Sequence, residues 1–179
     1  MSVKKIFTDR LILIPFTYNI AVTISEGNLD VLENMGLKTN NRWPDNETIE
    51  TLPKIIRNLE VVDGPTGFES WLIIRQDNMA IIGDVGFKGL PHDHGEVDIG
   101  YAVIKEERKR GYGFESAKAL ADWAFLQPNI ESITASCSVS NAASIRILKK
   151  LGMLEIAREK GMIYWKISKQ HDVETSVRP

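Results

Sequence analysis

The sequence predicts a single α/β domain built on a mixed, mostly antiparallel sheet of about seven strands, with about four helices on its two faces. Three observations carry this expectation. The hydrophobic period switches in the order strand, helices, three strands, helix, strand, helix, two strands. The strand-helix-strand stretch at 96–139 leaves room for a crossover, which two parallel neighbours require, so the sheet has to be mixed. Finally, 179 residues with 43% hydrophobic content can bury one good core but hardly two. The domain therefore takes in 1–179, with its core at about 8–168 and a frayed tail from Lys169.

Residues 10–16 form an apolar, β-branched run stopped by Pro15, which reads as a first strand. Between 17 and 62, helical spacings alternate with Asn, Gly and Pro breaks, and one or two short helices are expected. The best of them is 47–59, where Ile49, Leu52, Ile55, Ile56 and Leu59 share a face. Strand-like runs at 70–75, 80–88 and 96–104, separated by turn residues, make an antiparallel meander. A broad apolar stripe, from Phe114 to Phe125, marks a helix over 111–126. Strand character returns at 132–139. A second helix follows at 141–151, with Asn141 as N-cap and Gly152 as its stop. The last strands are 154–158 and 162–168.

A net charge of -2 and a pI near 6.0 exclude the overall basic footprint of a nucleic-acid binder. The single cysteine, Cys137, allows no internal disulfide and no thiolate cluster. The start of the chain lacks the apolar stretch of a signal peptide, and no run approaches the length of a membrane span, so a cytoplasmic protein without membrane partners is expected. His92 and His94 flank Asp93 in a turn without a third ligand, and no metal is expected there. Trp43 lies beside Pro44 in the 40–46 loop, where its ring could wall a binding site or simply pack.

The most informative segment runs Arg108-Lys109-Arg110-Gly111-Tyr112-Gly113-Phe114, between a strand and the start of a helix. A helix N-terminus presents unpaired N–H groups and partial positive charge, and glycines let the backbone approach a phosphate closely. This is a candidate anion cradle. A third fingerprint glycine is missing, since Ser116 stands there, and no Gly-Lys-Ser/Thr follows, which excludes a P-loop.

Four segments occur in a fixed order: Asp98-Ile99-Gly100-Tyr101, then Arg108-x-x-Gly111-x-Gly113 with Glu115, then Asn141-x-x-Ser144, then Lys150-Leu151-Gly152-Met153. Together with Thr8-Asp9-Arg10-Leu11-Ile12-Leu13 and Ile82-Gly83-Asp84-Val85-Gly86-Phe87, they make the chain resemble the GNAT N-acetyltransferase superfamily. The likeness is greatest to the branch that acetylates the N-termini of ribosomal proteins, and it covers roughly 8–167. The resemblance implies that acetyl-CoA is the cosubstrate and that backbone amides from Lys109, Arg110, Gly111, Tyr112, Gly113 and Phe114 hold its pyrophosphate. Arg108 and Arg110 would add charge. The strand at Ala102, Val103 and Ile104 would pair through its backbone with the pantetheine arm, so the strands ending near Ile104 and Val139 should splay apart. Asn141 would contact the cofactor arm, with Ser144 close to the thioester sulfur. A homodimer is a further possibility that the family suggests.

Amine acetylation needs a base, because an ammonium of pKa about 8 to 10 must lose a proton before it attacks, and the departing thiolate then takes one up. Glu96 and Asp98 lie two apart on a strand and share a face, where they can draw in a cationic amine and where one can have its pKa raised by the other. Asp98 stands where the branch has Glu and is the favoured base, with Glu96 as its rival and as a substrate contact. Many superfamily members carry an acidic Tyr seven residues after the Asn, but here Leu148 occupies that position. Ser144 is then the leading acid and Tyr164 a weaker one. The reading is direct attack, in a ternary complex, by a primary amine that is a protein N-terminus or a small amine such as a polyamine, amino acid or aminoglycoside. The alternatives are a CoA-sensing module without turnover and an ordinary dinucleotide enzyme.

Overall fold

The computed structural model describes residues 3–39, 42–92 and 94–170. A single sheet of eight strands organises them, in the spatial order β1-β2-β3-β4-β5-β6-β8-β7. Its strands are β1 (Ile6–Phe7), β2 (Leu11–Pro15), β3 (Ser70–Arg75), β4 (Ile81–Phe87), β5 (Glu96–Val103), β6 (Ser132–Ser138), β7 (Leu154–Glu159) and β8 (Met162–Ser168). Every neighbouring pair is antiparallel except β5 and β6, which the crossover through α4 (Tyr112–Phe125) makes parallel, as the spacing required.

The sheet has one strand more than the sequence suggested. β1 is two residues long, too short to show a period, and forms because Ile6 and Phe7 pair with Leu13 and Ile12 of β2. The segment before β3 likewise carries three helices rather than one or two: α1 (Tyr18–Ser25), α2 (Asp30–Asn34) and α3 (Asn46–Glu60). The final helix is α5 (Ala142–Lys150). Lys169, where the sequence places the start of a frayed tail, donates its N–H to the Glu131 carbonyl at 2.8 Å; 171–179 lie outside the described residues, as does Asp93.

The sheet is covered on both faces. β4 is buried along its whole length, which explains why apolar residues and glycines occupy both of its faces, with Asp84 as the exception. α4 packs on β2, β4 and β5, and α5 packs on β6. The Asp84–Thr48 contact brings α3 to β4, on the face opposite the one where Gly113 of α4 meets Tyr101 and Val103 of β5.

Trp43 belongs to this core. The residue is 1% exposed, as the packing reading expects. A tryptophan beside a proline looks like a surface loop in sequence, yet in the fold the chain turns inward there.

Candidate active site

β5 and β6 begin side by side and then part. Their register holds for Glu96–Ser132, Val97–Ile133 and Asp98–Thr134 only, although β5 runs on to Val103 and β6 to Ser138. The expected splay is therefore present, with Asp98 at its vertex. From Ile99 onward the β6-facing edge of β5 has no strand opposite, whereas its other edge stays paired with β4. An extended ligand could add to the open edge as a strand would. Two of the backbone groups assigned to that edge are already engaged: Val103 O accepts from Arg108 Nε at 2.7 Å, and Ile104 N donates to Ile82 O at 2.9 Å.

The cradle closes the top of the gap. β5 leads through a short 3-10 turn (Lys105–Glu107) to Lys109 and Gly111, which have φ of 63° and 86°, and Gly111 caps α4 without a side-chain acceptor. A 14-residue helix thus points an uncapped N-terminus at the open edge. Gly113 permits close approach on the inner side, since a Cβ there would lie 3.2 Å from Ile147 Cδ1. Arg108 does not reach forward as a simple phosphate ligand; its guanidinium bridges Val103 O and, at 3.4 Å, Glu47 of α3.

Across the gap, Asn141 caps α5 as the sequence indicated, its Oδ1 accepting from Ser144 N at 3.0 Å. The cap does not use the amide N–H groups of Asn141, so capping and a ligand contact are compatible. Asn141→Ala should lower stability by about 1 kcal/mol through loss of the cap, read as a urea midpoint shift, and should weaken CoA binding in the same protein. Unchanged binding would leave Asn141 as a cap alone.

The two carboxylates of β5 do share a face, and each is paired with a lysine once the sheet is assembled. Lys166 of β8 donates to Glu96 Oε2 at 2.7 Å, and Ser132 adds a bond at 3.2 Å. The lysine bond holds the Glu96 carboxyl below its ordinary value despite partial burial. Glu96 sits in a hollow of about 410 Å³ with His94, Glu131 and Ser168, away from the cradle. Asp98 is paired with Lys88 at 2.9 Å, its side chain 30% exposed. Neither carboxylate faces the cleft unneutralised, because lysines from β4's end and from β8 converge on them only once the sheet is assembled.

Two groups that sequence reasoning did not assign a role lie on β4 and β5. Asp84, opposite Ala102 on β4, is 8% exposed. Burial first, then the nearby Asp45 and Glu47 carboxylates, push it up to about 7, against a 3.5 Å contact with Thr48. An aspartate inside the apolar run 81–87 was its only signal. Tyr101 reaches across the splay, with its hydroxyl 3.5 Å from Ser144 O, and burial pushes its pKa up to about 12, so it stays protonated at neutral pH. Tyr164 lies instead on β8, opposite Ser136. Cys137 is a buried core residue. Among the described residues no three His, Cys, Asp or Glu side chains gather as metal ligands, and no helix is long and apolar enough to cross a membrane.

Known proteins resemble this chain in sequence and in fold. The chain is 34% identical over 147 residues, 82% of its length and 88% of the relative's, to the uncharacterized N-acetyltransferase YjdG of Bacillus subtilis (strain 168). Its fold matches ribosomal-protein-S5-alanine acetyltransferase from Vibrio fischeri, with a TM-score of 0.65 at 16% identity, covering 99% of this chain and 100% of that one. It also matches RimL, the ribosomal L7/L12 α-N-protein acetyltransferase, in a complex with coenzyme A, with a TM-score of 0.63 at 16% identity over 92% and 98% of the two chains. Residues 10–154 match the acetyltransferase (GNAT) domain, and with the splayed strands and the uncapped helix in place, this chain belongs to the GNAT acetyltransferase family.

Proposed function

We propose that the protein transfers an acetyl group from acetyl-CoA to a primary amine by direct attack in a ternary complex. The observation that carries this reading is the end of β5–β6 pairing at Asp98–Thr134, which leaves a strand edge open directly below the uncapped N-terminus of α4. The residues suit a CoA-type donor: the αL backbone at Gly111 accommodates a diphosphate, and the open edge of β5 accommodates an amide-bearing arm. Acetyl-CoA supplies the activated thioester. Lys109, Arg110, Gly111, Tyr112, Gly113 and Phe114 hold its diphosphate, Ala102 and Val103 flank its arm, and Asn141 contacts it from α5.

Asp98, at the vertex of the splay, takes the amine proton in this reading, directly or through water. Glu96, held ionised by Lys166, is farther along the strand and serves the acceptor rather than the base role. Ser144 and the protonated Tyr101 are the hydroxyls placed to return a proton to the departing thiolate. The acceptor is a small amine or a protein N-terminus; RimL and the S5-alanine enzyme act on protein acceptors by their names.

Calorimetric titration with acetyl-CoA and a thiol-release assay over a panel of amines test this. Asp98→Asn should cut turnover at least about tenfold with CoA affinity nearly intact. Unchanged turnover would remove Asp98 from the mechanism and pass the role to Asp84, whose pKa of about 7 also suits a base. A wild type that binds acetyl-CoA but acetylates none of the panel would favour a sensing module.

A further inference from the structure

We propose that Arg10 of the chain's opening segment is a positioning residue for the anion cradle. It cancels the charge of Glu115 and ties back the Arg110 carbonyl, so that an incoming diphosphate meets only N–H donors and cations. The inference rests on the proposed use of CoA and explains how this chain prepares that site.

The difficulty it solves is electrostatic. Glu115 lies in the first turn of α4, where a carboxylate is attracted by the positive end of the helix and so competes with a bound phosphate for the same field. Four contacts immobilise it. Thr8 Oγ1 donates to Glu115 Oε1 at 2.6 Å and Arg10 N donates to the same oxygen at 3.0 Å. Arg10 Nε and Nη2 reach Oε2 at 2.8 and 2.6 Å. Burial works against the Glu115 charge, yet these donors together hold its carboxyl below the ordinary value. The glutamate is therefore ionised and matched by one fixed guanidinium.

The same guanidinium also acts on the loop itself. Arg10 Nη1 donates to Arg110 O at 3.0 Å, across 100 residues of sequence, and Nη2 lies 3.2 Å from where a Gly111 Cβ would stand. Its plane sits 4.6 Å from the Tyr112 ring centre, and Arg75 approaches the same ring at 5.9 Å. Arg75 in turn pairs with Glu107 at 3.1 Å, and Glu107 meets Arg110 at 3.3 Å. Both of these carboxylates, Glu107 and Glu115, thus have a guanidinium partner. A carbonyl oxygen bound from below is also kept from turning toward a phosphate, which it would repel.

A simple tie between the start of the sheet and α4 would use the same atoms, and charge rescue separates the two roles. CoA affinity is measured by calorimetry at low salt, with Tm recorded for each protein. Arg10→Ala should raise Kd about tenfold, because it leaves the Glu115 charge bare beneath the phosphates. Adding Glu115→Gln to Arg10→Ala should bring Kd back to within about threefold of wild type, since no charge then remains to cancel. A double variant as weak as Arg10→Ala, or an Arg10→Ala protein that binds like wild type, overturns the inference. Should Arg10→Ala fail to fold, Glu115→Gln alone decides: it should tighten CoA about twofold or more, and an unchanged or weaker Kd overturns the proposal. Wild type that binds no CoA would sink the proposed activity together with this inference, whereas wild-type binding with an unaltered variant sinks the inference alone.

Discussion

Gly111→Val should raise the Kd for acetyl-CoA by at least about thirtyfold. Gly111 has φ of 86° and is the N-cap of α4. A β-branched residue there is strained by about 2 kcal/mol, and the chain can escape only by rotating the backbone whose N–H groups form the cradle. If binding requires the original rotation, that strain is charged to the complex, and 2 kcal/mol corresponds to about thirtyfold. Contact with Arg10, whose Nη2 lies 3.2 Å from the new Cβ, acts in the same direction, because it presses on the guanidinium that holds Glu115 and the Arg110 carbonyl. Gly64→Val is the control: Gly64 has a similar φ of 85° with nothing within 4 Å of its Cβ position, and it lies in the turn before β3. It should lose comparable stability but keep wild-type Kd. Equal loss of CoA binding in both proteins would show that general destabilisation, rather than the cradle, explains the effect.

Asp84→Asn should make the protein more stable at pH 8 and change it little at pH 4.5. The folded pKa of Asp84 is raised to about 7 from an ordinary 3.8. The native state therefore holds a proton that the unfolded state has lost throughout the interval between these values, and stability falls as pH rises through it. Above pH 7 the full cost applies, about 4 kcal/mol from a shift of about three units. Asparagine remains a buried polar group, so about 2–4 kcal/mol is recovered, equivalent to roughly 6–12 °C in Tm for a chain of this size. Thermal unfolding of both proteins at the two pH values reads the difference. A Tm gap that is the same at both would mean that Asp84 carries no charge cost, and it would lose its standing as the alternative base.

The cradle was legible in sequence because its chemistry is local. Arg108, Gly111 and Gly113 fall within six positions at the entry to a helix, and both the backbone freedom of the glycines and the field of the helix end follow from the order of residues. The Asn141 cap was legible for the same reason. The partners of Arg10, Asp84, Glu96 and Tyr101 were not, because each lies more than thirty positions away: Glu115, Thr48, Lys166 and Ser144.

The sequence by itself determined the order of the elements from β3 onward, the parallel pair at β5–β6 and the glycine-rich helix entry. Hydrophobic period, crossover length and residue conformational range are properties of short stretches. Only the tertiary structure decided that Trp43 is core, that lysines pair with the β5 carboxylates, that Asp84 is buried beside two other acids, and that Arg10 reaches Glu115 and the Arg110 carbonyl. Burial and charge compensation depend on which distant side chains the sheet brings within a few ångströms, and no local pattern encodes that distance.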